Sequence, residues 1–414
     1  MNRPVQQERP FFELMFEPLR NGVYKEKEFH GRGIKIVNMG ELFAHDFIGR
    51  QDMRRLELSA AEQQKALLKS GDLLFARRSL VLEGAGHCSL VTDVPEPMTF
   101  ESSLIRVRLD QRLAEPRFYF YLFRSPIGRA KLASIAARTA VSGIKGTDLS
   151  ALRVPVPALE EQARIASILG AYDDLIEVNR RRIAVLERMA RRLFEEWFVH
   201  LRFPGHEVLP QMSAPKDWQQ LGFGALVDER RDSIDPSDVD PGVAYVGLEH
   251  IPRRSTTLDA WSSADQVTST KLRFERGDIL FGKIRPYFHK VAWAPLAGVC
   301  SSDAIVWRPR SDDVAGLALA VASSDAFVAH SVQTSNGTKM PRANPSVLAR
   351  YPVLVPPGML LQSFNKNVMA GVELAASLNA ANLRLAAARD LLLPRLIGGQ
   401  VSVSTAERVL EAVG

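Results

Sequence analysis

Two short segments carry residues whose types and spacing could do chemistry on nucleotides. Residues 277–283, Gly-Asp-Ile-Leu-Phe-Gly-Lys, have the glycine and lysine spacing of a phosphate-binding loop, but Ile284 stands where a Ser or Thr would bind magnesium. Residues 344–346, Asn-Pro-Ser, fall short of the Asn-Pro-Pro-aromatic motif of amino methylation. The eight histidines are scattered and form no His-Glu-x-x-His motif. The sequence therefore predicts no catalytic residue and no metal site in this chain.

The composition limits the class of protein. Of the 414 residues, 46% are hydrophobic and 24% are charged, values typical of a globular protein with two domains and connecting elements. The net charge of +6 fits a nucleic-acid partner, because Lys and Arg that neutralise phosphates release counterions, although plain solubility would also explain it. Cys88 and Cys300 are the only cysteines and are predicted to be reduced and buried. With no apolar run near the ~18 residues of a membrane span and no signal peptide at residues 1–20, we expect a cytoplasmic protein.

The chain contains an internal repeat with a period of about 200 residues. Gly71-Asp72-Leu73-Leu74-Phe75 recurs as Gly277-Asp278-Ile279-Leu280-Phe281. Further pairs of segments match in the same order, namely 36–39 with 245–248, 102–105 with 302–305, 143–145 with 337–339, and 154–157 followed by Gln162 with 353–357 followed by Gln362. Ordered matches of this kind are hard to obtain by chance. The chain is therefore predicted to be a tandem of two homologous halves.

Each half divides into a β-rich part and a long helix. Short apolar runs such as 34–37 and 304–307, broken by Gly, Pro, Asp and Ser, predict strands, and residues 118–135 predict helix. Pro157 and the acidic residues after it start the first long helix, and the second follows Pro356 and Pro357 and is expected to end at Pro394 and Gly398-Gly399. The predicted parts are 1–155 and 204–355 for the two β-rich domains, 156–203 and 356–398 for the long helices, and 399–414 for a C-terminal tail.

The two long helices are expected to pair along apolar seams. Apolar residues in both step by four and three positions, a 3.5-residue repeat typical of a coiled coil. The predicted pairing residues are Ile165, Leu169, Tyr172, Ile176, Asn179, Ile183, Leu186, Leu193 and Trp197 in the first helix, and Phe364, Val368, Leu378, Asn382, Leu385 and Leu392 in the second. Asn179 and Asn382 either fix the register as buried polar residues or lean to solvent. Lined up antiparallel, helices of ~35–40 residues would form a rigid spacer of roughly 55 Å.

Basic side chains near the repeated motifs are the candidates for DNA contact. A glycine lets the backbone approach a phosphate, a following Lys can neutralise it, and Arg is the usual reader of guanine. The candidates are Arg77, Arg78 and Lys145 in the first half, and Lys283, Arg285, Tyr287, Lys290, Lys339 and Arg342 in the second. Solvated surface charge is the alternative for any single residue. As a set, we predict that most lie on a DNA-facing surface.

Two stretches of the sequence resemble the conserved regions of a known family. Residues 389–399, Arg-Asp-Leu-Leu-Leu-Pro-Arg-Leu-Ile-Gly-Gly, resemble the distal conserved region of the specificity subunits of Type I restriction-modification systems. The central conserved region of that family is matched by residues 154–198, which include Glu161-Gln162, Ile165-Ala166, Asp173, Asn179, Leu186-Glu187 and Trp197-Phe198. The resemblance covers essentially the whole chain. It departs from the family at residues 358–361, where the usual acidic residues are missing.

The resemblance implies an α+β fold, with two homologous target recognition domains separated by two long antiparallel coiled-coil helices in a pseudo-twofold arrangement. The first domain would read the 5′ half of a bipartite DNA target and the second the 3′ half. The helix pair would set the spacing and dock two adenine methyltransferase subunits, which restriction (motor-nuclease) subunits join. S-adenosylmethionine would be held by the methyltransferase subunits, and ATP and magnesium by the restriction subunits, with no cofactor in this chain. The alternatives are a standalone two-domain DNA-binding or scaffold protein, and an enzyme whose motifs are not recognised.

Overall fold

The computed structural model describes residues 7–79, 84–137, 142–206, 215–337 and 339–405. These residues form two compact units, one made of residues 1–174 with 385–414 and the other of residues 175–384. Each unit combines β-sheets with helices, and two long helices occur in the chain. The predicted α+β class is confirmed.

The elements follow one another in the same general order in both halves of the chain. In the first half they are β1 (Glu8–Pro10), β2 (Arg20–Asn21), β3 (His30–Val37), α1 (Met39–Ala44), β4 (Phe47–Ile48), β5 (Arg55–Leu56), α2 (Ala60–Ala66), β6 (Leu73–Ala76), β7 (Arg78–Ser79), β8 (Cys88–Val91), β9 (Met98–Phe100), β10 (Leu104–Val107), α3 (Pro116–Arg124), α4 (Pro126–Ile135), β11 (Ser142–Gly143), α5 (Gly146–Ala151), β12 (Arg153–Pro155) and the long helix α6 (Leu159–Phe194). In the second half they are β13 (Gln219–Gly222), β14 (Val227–Arg230), β15 (Ser233–Ile234), β16 (Ala244–Val246), β17 (Ser262–Ser263), β18 (Lys271–Phe274), β19 (Ile279–Gly282), β20 (Val291–Trp293), β21 (Gly298–Cys300), β22 (Ala304–Pro309), α7 (Asp312–Ala322), α8 (Asp325–Gln333), α9 (Pro345–Leu348), β23 (Pro352–Val355) and the long helix α10 (Gly358–Ile397).

The first unit is built around a five-stranded sheet in the order β2-β10-β6-β8-β4, beside a three-stranded sheet in the order β5-β3-β9. Helix α3 is the centre of its main core, because its aromatic run from Phe118 to Phe123 is buried throughout. The predicted helix over 118–135 is confirmed as two helices. They meet at Ser125, whose side chain accepts a hydrogen bond from the Gly128 N–H, and Pro126 starts the second.

The second unit has a four-stranded sheet in the order β14-β22-β19-β20 and a five-stranded sheet in the order β15-β18-β21-β16-β17. Its largest core cluster contains the aromatic residues Phe223, Phe281, Trp307 and Phe327, which contact one another edge-to-face or tilted. This packing buries apolar surface between α8 and the four-stranded sheet.

No single helix in the described part of the chain is long and apolar enough to cross a membrane. The helices α7 and α8, which meet at 63°, pass that test only as a bent pair, on length and composition alone. Both contribute buried residues, including Leu317 and Phe327, to the main core of the second unit.

The strand registers confirm most of the internal repeat. Phe75 lies opposite Ile105 in the first unit, and Phe281 lies opposite Ile305 in the second. The segments 36–39 and 245–248 also correspond, because each ends a strand that runs parallel to its neighbour, with Ile36 beside Thr99 and Tyr245 beside Val299. The repeated Gly-Asp motif and its partner strand are therefore the same structural unit in both halves.

A buried ion pair explains why the Gly-Asp motif is repeated. The Asp72 carboxylate accepts hydrogen bonds from Arg108 Nε and Nη2, both at 2.7 Å, and the Asp278 carboxylate accepts them from Arg308 Nε and Nη2 at 2.8 and 3.0 Å. Each Asp follows a left-handed glycine, with φ of 89° at Gly71. Both aspartates are almost completely buried. The resemblance of 277–283 to a phosphate-binding loop therefore reflects a turn that places Asp278 on Arg308.

The two cysteines are free and buried, as predicted. Cys88 lies in β8 and Cys300 in β21, each inside its own unit. Burial raises the pKa of Cys300 to about 12, so that thiol stays protonated at neutral pH.

The long helices begin and end differently from the sequence-based prediction. Helix α6 runs to Phe194 and continues as a π-helical turn over Glu195–Val199. The sequence predicts an end at Pro394 and Gly398-Gly399; α10 passes Pro394 and ends at Ile397, directly before the two glycines. A proline removes one backbone donor only, and the last turn is held by the bond from the Gly398 N–H to the Pro394 carbonyl oxygen, at 2.9 Å. The left-handed Gly399, with φ of 69°, follows the end of the helix.

The residues predicted to pair the helices are all buried or half-buried. Within the second unit, Asn179 Nδ2 donates a hydrogen bond of 2.9 Å to Asn382 Oδ1, and the ring of Trp197 lies 5.7 Å from that of Phe364. Residue numbers fall along α10 as they rise along α6 at these contacts, so the segments run antiparallel. The N-terminal ends of the two seams, however, also pack into domain cores, since Ile165 belongs to the main core of the first unit.

Asp278→Ala is expected to lower the free energy of unfolding of the second unit by about 3 kcal/mol, because it leaves Arg308 Nε and Nη2 and the Glu275 N–H without their acceptor. All five tryptophans lie in residues 175–384, so their fluorescence during chemical denaturation reports on this unit alone. Asp228→Ala is the matched control, because Asp228 pairs with Arg310 at the surface and should cost about 1 kcal/mol or less. Equal effects of the two variants would contradict the structural role of Asp278.

Asn179→Ala or Asn382→Ala alone should each cost about 1–3 kcal/mol, because each leaves a buried amide without its partner. The double variant Asn179→Leu with Asn382→Leu should recover much of that loss, since it replaces two polar groups by apolar ones. Tryptophan fluorescence during denaturation measures both. Asn367→Ala, at an exposed position of α10, is the control, and single variants no more costly than this control would argue against the pair.

Candidate nucleic-acid interface

In the first unit, the backbone after the buried Gly-Asp strand is held by bonds to two other segments. The Arg77 N–H donates to the Ser103 carbonyl oxygen at 2.8 Å, and the Arg77 carbonyl oxygen accepts from the Ile144 N–H at 3.0 Å. Arg78 then pairs with Gly143 in a short two-stranded sheet, and Lys145 immediately precedes α5. The fold therefore brings three of the predicted cations, Arg77, Arg78 and Lys145, to one edge of this unit.

The second unit repeats the same backbone pattern with different side chains. The Lys283 N–H donates to the Asp303 carbonyl oxygen at 2.8 Å, and the Lys283 carbonyl oxygen accepts from the Ala343 N–H at 2.9 Å. Ile284 pairs with Arg342 as Arg78 pairs with Gly143 in the first unit. Lys283 thus corresponds to Arg77, and Lys283, Arg285 and Arg342 also meet at one edge of this unit.

This correspondence corrects one match in the repeat. Residues 143–145 were paired with 337–339, but Gly143 corresponds to Arg342, so Lys145 corresponds to Asn344 and not to Lys339. Gly143 is bridged to Ala137 and Arg342 is bridged to Asn336, so these two pairs correspond, and Gly337 follows Asn336. The two glycines serve different purposes. A Cβ on Gly143 would lie 2.7 Å from the Arg77 carbonyl oxygen, whereas Gly337 has a left-handed φ of 95°.

The match between Gln162 and Gln362 is also wrong, by one residue. Val154 in β12 and Val353 in β23 hold corresponding places in their strand pairs, so Gln162 corresponds to the buried Leu361 and Gln362 is exposed. Gln162 is completely buried and its Oε1 accepts from the Glu115 N–H at 2.9 Å, which fastens the start of α6 to the start of α3. The sequence could show that Gln162 follows a helix start but not that it is buried.

The loop between β19 and β20 presents two of the candidates to solvent. Arg285 and His289 both have left-handed backbones, with φ of 50° and 53°, on either side of a 3₁₀ turn that contains Tyr287. Non-glycine residues rarely adopt this conformation, so the surrounding fold must hold it. The Arg285 N–H donates to the Pro341 carbonyl oxygen, and the buried His289 Nε2 donates to the Ser323 carbonyl oxygen, both at 2.8 Å. Tyr287 is 51% exposed as a result.

The candidate side chains differ in whether their charged groups are exposed or already paired within the protein. Arg78, Lys145, Arg285 and Lys339 are exposed and have no side-chain hydrogen bond or ion pair with any described residue. Arg342 lies 3.8 Å from the Asp303 carboxylate. The ammonium group of Lys290, in contrast, donates to the Leu248 carbonyl oxygen, and partial burial lowers its pKa. Lys290 therefore holds the fold together and is the least suited of the set to bind phosphate.

An ion-pair cluster in the first unit was missed by the sequence reasoning. The Asp173 carboxylate on α6 accepts hydrogen bonds from Tyr121 on α3 and from Arg389 on α10. Burial and the nearby carboxylate raise the pKa of Tyr121, so its hydroxyl stays a donor. Arg389 and Asp173 each fall in a motif of the sequence, but their separation of more than 200 residues hides the contact.

Comparison with known proteins finds relatives of one class. Residues 20–188 match the Type I restriction modification DNA specificity domain. The Type I restriction enzyme MjaIX specificity subunit of Methanocaldococcus jannaschii is 22% identical over 402 residues, 92% of this chain and 89% of that protein. The EcoKI specificity subunit of Escherichia coli is 33% identical over 171 residues, 40% of this chain and 36% of that protein.

A solved structure shares the fold along the chain. The S subunit of a Type I restriction-modification system from M. genitalium aligns with 96% of this chain and 97% of its own, with a TM-score of 0.59 and 14% identity. The chain is thus similar along most of its length to specificity subunits of Type I restriction-modification systems, and residues 20–188 match their DNA specificity domain.

Arg78→Ala with Lys145→Ala is expected to weaken binding of the full chain to duplex DNA. The slope of log affinity against log salt should become shallower by as much as about 2, since each lost phosphate contact removes about 0.9. Fluorescence anisotropy of labelled DNA between about 50 and 200 mM salt measures it. Arg32→Ala with Arg112→Ala removes the same charge from ion-paired surface positions, so an equal slope for both pairs would exclude Arg78 and Lys145 from the interface.

Proposed function

We propose that the chain reads a bipartite DNA target, with the first β-rich domain on the 5′ half and the second on the 3′ half. One observation carries this proposal. Each unit repeats the same backbone arrangement, in which a buried Asp–Arg pair is followed by a loop that carries basic residues, Arg77 and Arg78 in one and Lys283 and Arg285 in the other. Two similar DNA-contacting edges in one chain suit a target with two half-sites.

The long helices space the two domains and dock the partner subunits. The paired amides of Asn179 and Asn382 support a fixed register between them. Helix α6 also exposes apolar residues that nothing within the second unit covers. Leu175, Val178, Val185 and Met189 are each more than 40% exposed and lie on one face of the helix at 100° per residue. An uncovered apolar stripe of this kind suits a protein partner.

The partners are two adenine methyltransferase subunits, one for each half of the chain, and restriction subunits that join them. S-adenosylmethionine then belongs to the methyltransferase subunits, and ATP and magnesium to the restriction subunits. A standalone scaffold is not favoured, because the relatives of this chain are specificity subunits of restriction enzymes. The chain itself contributes sequence recognition and geometry.

Cells that express this chain with an adenine methyltransferase partner should contain methylated adenines in a bipartite motif, with one adenine in each half and a spacer of fixed length. Long-read sequencing of genomic DNA measures the motif, and co-purification with the full chain measures partner binding. Cells with the methyltransferase alone are the control. A contiguous motif, or the same methylation in the control cells, would rule out the proposed function.

A further inference from the structure

We propose that Glu187, on the central helix α6, is a positioning residue for the DNA-contacting loop of the second domain. This inference rests on the proposed function and adds that helix α6 fixes the position of the loop through an intervening segment. Among the described residues, Glu187 makes no hydrogen bond or ion pair with a candidate DNA-binding residue. It holds a segment of the second unit that in turn holds the loop.

The side chain of Glu187 accepts hydrogen bonds from several donors in one short segment. Its Oε1 atom accepts hydrogen bonds from the backbone N–H groups of Thr256 and Thr257, both at 2.9 Å, and from the hydroxyls of Ser255 and Thr257, at 2.7 and 2.8 Å. Hydrogen bonds to an ionised carboxylate are about twice as strong as neutral ones. A single carboxylate thus fixes the conformation of residues 255–257 on α6.

That segment lies directly against the loop between β19 and β20. The Arg254 N–H donates to the His289 carbonyl oxygen, and the Trp293 N–H donates to the Thr256 carbonyl oxygen, both at 2.9 Å. The guanidinium of Arg253 stacks on the ring of Phe288, 4.2 Å from its centroid. Residues 253–257 therefore form the inner support of the turn that presents Tyr287.

Other residues of the long helices hold the same segment. Arg191 Nη2, one turn after Glu187, donates to the Arg254 carbonyl oxygen at 3.2 Å. Asn379 Nδ2 on α10 donates to the Leu258 carbonyl oxygen at 3.1 Å. Arg254 has a left-handed φ of 57°, which non-glycine residues adopt only where the surroundings impose it. The contacts from Glu187, Arg191 and Asn379 supply that constraint.

In the described part of the first unit, an alanine holds the place that corresponds to Glu187. Val154 in the first half corresponds to Val353 in the second. With the same difference in residue number, Glu187 on α6 corresponds to Ala386 on α10, which is followed by Ala387. The side chain of an alanine has no hydrogen-bond acceptor that could hold a loop. Loss of the Glu187 carboxylate should therefore affect the half-site read by the second domain and leave the other unchanged, which gives the experiment an internal reference.

Hydrogen–deuterium exchange of the full chain tests the structural part. Glu187→Ala should speed exchange of the Thr256 and Thr257 amides and of residues 288–293 by about tenfold or more, equivalent to about 1.4 kcal/mol. Glu187→Gln should have a smaller effect, because its carbonyl oxygen accepts but carries no charge. Glu177→Ala, on the same helix and paired only with Arg181 at the surface, is the control and should change nothing in this segment. Unchanged exchange in Glu187→Ala would overturn the proposal.

Methylation mapping tests the functional part in cells that express the variant chain with its methyltransferase partner. Glu187→Ala should relax or weaken the half-site of the second domain by about tenfold relative to the first, with Glu187→Gln intermediate. Equal loss at both halves, or no loss, would overturn the positioning role. If the unaltered chain gives no bipartite motif, the proposed function fails instead. The exchange measurement then decides alone whether Glu187 holds the loop.

Discussion

The closure of the first unit by the C-terminal end of the chain is the constraint on which the rest of the structure depends. Leu393, Leu396 and Ile397 of α10 are buried in the same core as the aromatic run of α3, and Asp173 ties α6 to Arg389. Burial of one such side chain stabilises the fold by about 1.5–3 kcal/mol. Because both long helices contribute to each unit, neither helix can shift along the other without breaking contacts inside a domain core.

The two halves hold their cationic loops with different sets of contacts. Both place a cationic loop after a buried Asp–Arg pair, which keeps the strand rigid beneath the loop. The second half adds a hydrogen-bonded connection from α6, through Glu187, to the segment behind its loop. The first half has an alanine at the corresponding place in α10. The duplication therefore kept the frame of the domain but not the way in which the helix fastens to it.

The sequence predicts the repeated motifs correctly where the position of a residue in its strand determines its structural role. The segments around Asp72 and Asp278 fall in matching registers because apolar alternation and a turn glycine fix them locally. The matches at Lys339 and Gln362 failed because loops differ in length, and only backbone pairing reveals the offset. The sequence allowed two interpretations of Asn179 and Asn382, namely buried residues that fix the register or residues that lean to solvent, and the structure shows that they form a buried pair. Glu187 lay in a motif, but its acceptor role depends on a loop almost 70 residues away. Helix α10 passed Pro394 because the burial of the residues after it outweighs one lost hydrogen bond.

The discontinuous first unit also has a consequence for biosynthesis. Its residues up to 174 are translated before the second unit, yet residues 385–405, which complete its core, are translated after the second unit. At about 5–20 residues per second, the intervening segment takes roughly 10–40 s to make. During that time the nascent first domain exposes the apolar surface that α10 later covers, whereas the second unit can fold as an uninterrupted stretch. Chaperone contact is therefore expected to fall mainly on the half of the protein that is synthesised first.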